Sequence, residues 1–76
     1  MNKYEINHKL LKEGKDISEL DCLYTFDEIK SKIKDMYPTM NNTEIEYHAD
    51  NILNVDWLKV CNNENEFIEV IREQID

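Results

Sequence analysis

Glycine and proline are almost missing from this chain, whose 76 residues contain only Gly14 and Pro38. Sandwiches and barrels of short strands turn often and use both residues to do so, which argues against an all-β architecture. A single glycine also cannot build a phosphate-cradling loop or a dinucleotide-binding turn. No apolar run approaches the roughly 20 residues of a membrane span, and residues 1–15 lack the apolar stretch of a secretory signal. Cysteine is scarce too: Cys22 and Cys61, 39 positions apart, form no disulfide framework. The expectation is a cytoplasmic chain whose thiols are reduced and packed as small core residues.

Positive charge is missing from one half only. Residues 1–38 carry 8 acidic and 7 basic side chains, whereas residues 39–76 carry 9 acidic side chains against Lys59 and Arg72 alone. The halves contribute −1 and −7 to the net charge of −8. A fold needs no such imbalance; fields of one sign act on partners. At a sequence pI of about 4.6 the chain repels phosphate, so it is not expected to bind nucleic acid itself.

What is present is enough for a core. The chain is 41% hydrophobic and has seven aromatics, Tyr4, Tyr24, Phe26, Tyr37, Tyr47, Trp57 and Phe67, which argues for one folded domain over residues 1–76 and against disorder. Asparagine takes the place of glycine in the loops, where it tolerates left-handed backbone and caps helices. Abundant Asn, Lys, Ile and Glu beside one Ala and one Arg is the composition of an AT-rich genome, as in low-GC bacteria and their phages.

Three capping signatures predict helices. Thr25 with Glu28 precedes Phe26, Ile29, Ile33 and Met36, and Pro38 stops the run, which predicts a helix over 26–37. Thr43 with Glu46 precedes Ile45, Ala49, Ile52 and Leu53, with Asn54 as the stop, which predicts a helix over 44–53. Asn63 with Glu66 precedes Phe67, Ile68, Ile71 and Ile75, which predicts a helix over 64–75.

Two stretches read both ways. Ile6, Leu10 and Leu11 suit a helix ended by Gly14, with a further turn capped by Asp16, although Tyr4, Ile6, His8 and Leu10 alternate as a strand would. Val55 to Cys61 satisfies a helical turn or a short buried strand. The fold expected is a predominantly α bundle of three to four short helices, with a small α+β fold carrying a two- or three-stranded sheet as the alternative.

No constellation identifies a reaction. His8, His48, Cys22 and Cys61 are all isolated, without the close pairing of metal ligands, so no metal or other cofactor is expected. His48 follows Glu44 by one turn but lacks a nucleophile, and reads as a helix-flank histidine rather than a general base. Lys30, Lys32 and Lys34 spread around their helix and read as solvated, with Asp27 and Glu28 as partners. No catalytic residue is assigned and no enzyme is expected.

The acidic half is more informative when projected on helices. Glu66, Glu69, Glu73 and Asp76 fall within about an 80° arc over roughly 15 Å, opposite the apolar face. Glu46 with Asp50, and Glu69 with Glu73, are i,i+4 like-charge pairs that local helix stability disfavours. Many other carboxylates occupy first turns, where they complement the helix dipole and need no partner. Asp50, Asp56, Glu69, Glu73 and Asp76 have no such role. Tyr47 and Val70 project beside the carboxylates and are expected to be exposed. The expected partner-binding residues are therefore Tyr47, Asp50, Glu66, Glu69, Val70, Glu73 and Asp76.

These features point to a small acidic interaction protein that binds and inhibits a basic surface, such as the nucleic-acid groove of an enzyme or regulator. In size, charge and helicity it resembles phage-encoded inhibitors of the anti-CRISPR and DNA-mimic kind, and acidic immunity proteins of nuclease toxins. The resemblance rests on no motif and transfers no functional residue. The alternative is a helical homodimer or adaptor whose acidity serves solubility alone.

Overall fold

The computed structural model describes residues 3–20 and 22–76. They form α1 (Lys3–Lys12), a 3₁₀ turn (Ile17–Glu19), α2 (Phe26–Met36), α3 (Asn42–Leu53), a second 3₁₀ turn (Asp56–Val60) and α4 (Glu64–Ile75). There is no strand among the described residues, so the helical architecture holds and the α+β alternative is overturned.

Each boundary has a local cause. α1 ends where Gly14 takes φ +96°, and amides of Gly14 and Lys15 bond back to the carbonyls of Leu11 and Leu10, the pairing of a Schellman motif. The side chain of Thr25 caps α2 by accepting from the amide of Glu28 at 3.1 Å. α2 stops at Met36, one residue earlier than expected. Tyr37 precedes Pro38 and leaves the helical region, at φ −130° and ψ 72°.

α3 corrects the expected start by two residues. Its cap is Asn41, not Thr43: Asn41 Oδ1 accepts from the Glu44 amide at 2.9 Å, and Asn41 Nδ2 donates to Glu44 Oε1 at 3.2 Å. This side-chain cap lies two residues upstream of the expected one and leaves Thr43 in the first turn. α4 starts as expected on Asn63, whose Oδ1 accepts from the Glu66 amide at 3.0 Å. Among the described residues no non-glycine has positive φ. The loop asparagines therefore act through their side chains as caps, not through left-handed backbone.

α2 packs on α3 and α3 on α4, while α1 and the first turn pack on the Asp56–Val60 turn. Ile29 and Ile33 from α2, Ile45, Ala49 and Ile52 from α3, Leu58 and Cys61, and Phe67, Val70 and Ile71 from α4 share one buried cluster with Tyr24. Tyr24 stacks on Phe67, with centroids 3.8 Å apart and planes 9° from parallel. α1 is tied on by polar contacts. Buried Asn7 donates to the Lys59 carbonyl at 3.0 Å, and Tyr4 bonds the hydroxyl of Tyr24 and donates to Glu64 Oε2 at 3.2 Å. Ile6, expected on the inner face of this helix, is instead 46% exposed, because the face turned inward carries Tyr4 and Asn7.

No helix among the described residues is long and apolar enough to cross a membrane.

Candidate partner-binding cleft

Two of the three α2 lysines neutralise part of the acidic half. Lys30 Nζ lies 3.6 Å from Glu46 Oε1 on α3, and Lys32 Nζ lies 3.0 Å from Glu64 Oε1 on α4. Both of these pairs run from α2 to another helix. α2 packs on α3, and the long Lys32 side chain reaches past that contact to Glu64 on α4. Lys30 also lies 5.3 Å from the centroid of the Phe26 ring.

Other carboxylates are occupied within the chain. Glu66 accepts from the backbone amide of Asn62 and, at 3.0 Å, from Asn62 Nδ2. Those bonds, the side-chain amide first, hold its carboxyl below the ordinary value of 4.5. Asp76 accepts from the Tyr37 hydroxyl at 3.2 Å. Glu44 and Glu28 serve helix caps. Within residues 39–76 what remains is Asp50, Asp56, Glu69 and Glu73, whose carboxylates have no hydrogen-bond or ion-pair partner among the described residues.

Glu66, Glu69 and Glu73 line one side of an open cleft of about 370 Å³ between α4 and the Asp56–Val60 turn. Trp57, Val60, Cys61, Asn62 and Val70 complete it, and no Lys, Arg or His lines it. Trp57 is 67% exposed although its neighbour Leu58 is fully buried. The tight 3₁₀ turn sends Leu58 into the core and leaves the indole on the rim.

The seven residues expected to bind a partner separate accordingly. Glu66, Glu69 and Glu73 share the cleft, with Glu66 already engaged by Asn62. Val70 lines it too, but it is only 7% exposed, which corrects the expectation of an exposed anchor. The apolar face of α4 is wider than the arc of Phe67, Ile68, Ile71 and Ile75, because both α3 and the Asp56–Val60 turn cover it. Tyr47 is 66% exposed, edge-on to half-buried His48, and together with Asp50 it stands on α3 outside this cleft. Asp76 is likewise outside it.

Trp57 is the residue that sequence reasoning missed. The segment Val55 to Cys61 reads as a helical turn or a short buried strand, and neither reading singles out an exposed indole. Asp56 preceding it was the one available signal, a carboxylate without a capping role.

Burial pushes the Cys61 thiol up to about 11, with the nearby Glu66 carboxylate adding to the effect, while its Sγ donates to the Trp57 carbonyl at 3.3 Å. Such a thiol is a poor nucleophile at neutral pH. Cys22, expected to be buried, is half-buried and donates to the Tyr24 carbonyl at 3.1 Å. Among the described residues no group of three or more His, Cys, Asp or Glu side chains is placed to hold a metal ion.

No protein-family model, no curated protein and no solved structure matches this chain.

Proposed function

We propose that this protein is an acidic interaction module that binds a basic surface on another protein and inhibits it by occupying that surface. The nucleic-acid-binding face of an enzyme or regulator is the partner that fits best. The observation that supports this reading is the set of four carboxylates, Asp50, Asp56, Glu69 and Glu73, left without partners among the described residues in an acidic half whose other five are paired or serve caps. Solubility is served by charge anywhere on the surface. Glu69 and Glu73 are instead one turn apart, where they repel, and face a cleft with an exposed indole. Carboxylates in that arrangement attract cationic groups over about a Debye length, roughly 8 Å at physiological ionic strength, and so speed encounter with a basic partner.

Affinity capture in low-salt lysate of the organism that encodes the protein, followed by a salt titration with the captured partner, tests the reading. The expected partner is a nucleic-acid-binding protein whose affinity falls steeply with salt and for which nucleic acid competes. Affinity that does not change with salt would sink the proposal. Recovery of the protein alone, with a matching dimer in sedimentation, would favour the homo-oligomeric alternative.

A further inference from the structure

We infer that the cleft between α4 and the Asp56–Val60 turn receives an arginine side chain of the partner, stacked on Trp57 and paired with Glu69 and Glu73. This inference rests on the proposed binding of a basic surface and specifies where and how one cationic group is held.

Charge complementarity selects the occupant. The cleft has carboxylates along one side and no cationic side chain of its own. Lys59 and Arg72, the basic residues of this half, do not line it, and Arg72 lies near enough to Tyr37 to act on its hydroxyl instead. An anionic guest is repelled by Glu69 and Glu73 and a neutral one leaves their two charges uncompensated, whereas a cation supplies both countercharge and charge-assisted hydrogen bonds. The volume of about 370 Å³ is that of a small pocket, suited to one long side chain and its flanking backbone rather than to a docked helix.

Trp57 then selects among cations. Indole offers the strongest aromatic face for a cation, and a guanidinium is planar, weakly hydrated and able to lie flat on it. The same fork presents several donors in one plane, so it can bond carboxylates on one side while its face meets the ring. An ammonium is a compact, strongly hydrated point charge and loses more on entering a cleft floored by Val70 and Cys61. Glu66, held by Asn62, borders the site as a fixed negative charge.

Trp57 is the only tryptophan in the chain, so its fluorescence reports on the cleft directly. The experiment titrates the full chain at low salt with a short arginine-rich peptide and with its all-lysine counterpart, following Trp57 emission and, in parallel, heat by calorimetry. The variants are Trp57→Ala, read by calorimetry, and Glu69→Gln with Glu73→Gln, each checked for unchanged helicity by circular dichroism.

The expected result is a saturable emission change with the arginine peptide, several-fold tighter than with lysine. Trp57→Ala should weaken binding by between about threefold and thirtyfold, the range of a cation–π contact. The double glutamine variant should weaken it at least about tenfold, as expected for loss of two charge-assisted contacts. Binding seen by calorimetry with no emission change, and unaffected by the variants, would overturn the cleft assignment and leave the proposed function standing. Absence of binding by either peptide would also overturn it, and the captured partner's salt dependence then judges the proposed function separately. An emission shift driven by protein concentration alone would assign the cleft to a second copy of the chain and likewise overturn the inference.

Discussion

Lys32 on α2 places its Nζ 3.0 Å from Oε1 of Glu64 on α4, so the nearly neutral half of the chain discharges part of the acidic half. Lys30 does the same for Glu46. Both pairs are solvent-accessible and contribute little to stability. Lys32→Ala is expected to lower unfolding free energy by no more than about 1 kcal/mol, measured by urea denaturation. A loss of several kcal/mol would mean that the pair is structural rather than a surface neutralisation.

Glu69 and Glu73 make opposite demands on folding and binding. Glu69→Lys replaces an i,i+4 repulsion with an attraction on an exposed helix face, so stability should rise by about 0.2–0.5 kcal/mol. Affinity for a basic partner should fall in the same variant. Thermal melts and partner titrations on one preparation check both signs, and a variant that binds as tightly as wild type would remove Glu69 from the interface.

Glu66 sets an acid limb. Its folded carboxyl is held below the ordinary 4.5 by Asn62, first through the side-chain amide and then through the backbone amide, so it binds protons less readily than in the unfolded chain. That contribution is present above pH 4.5 and is lost as pH falls through the folded value. Glu66→Gln should therefore melt lower than wild type at neutral pH, with the gap closing as the solution is acidified. A gap that does not change with pH would contradict the assignment.

Tyr24 sets the alkaline limb. Burial, then the hydrogen bond with Tyr4, raises its hydroxyl far above the ordinary 10.0. The stability associated with that raised value is complete below pH 10.0 and is lost as pH climbs beyond it, because the unfolded chain ionises first. Tyr24→Phe keeps the stack on Phe67 and should flatten this limb in pH-dependent unfolding. Phe67→Ala removes the fully buried partner of the stack and should cost about 3–5 kcal/mol, comparable with the whole net stability of so small a domain. A cooperative melt near the wild-type temperature for Phe67→Ala would show that the stack is dispensable.

α4 could be read from the sequence because its information is local: Asn63, Glu66 and the apolar period lie within twelve residues, and a cap acts over one turn. α3 was read with its start displaced because two overlapping cap motifs, Asn41 with Glu44 and Thr43 with Glu46, compete over the same turn, and spacing alone does not rank them. Ile6 and Val70 were misplaced for another reason. Helical period says which residues share a face, not how wide a face its neighbours cover.

The sequence by itself determined the helical class, the limits of α4 and the surplus of carboxylates, since capping, periodicity and charge count are properties of neighbouring residues. Only the tertiary structure decided that Lys30 and Lys32 neutralise Glu46 and Glu64, that Tyr37 bonds Asp76, and which carboxylates of the acidic half stand free. It also decided that Val70 is covered and Trp57 is not. Both outcomes depend on contacts between elements far apart in the chain, and burial and ion pairing are set by what packs alongside a residue rather than by what precedes it.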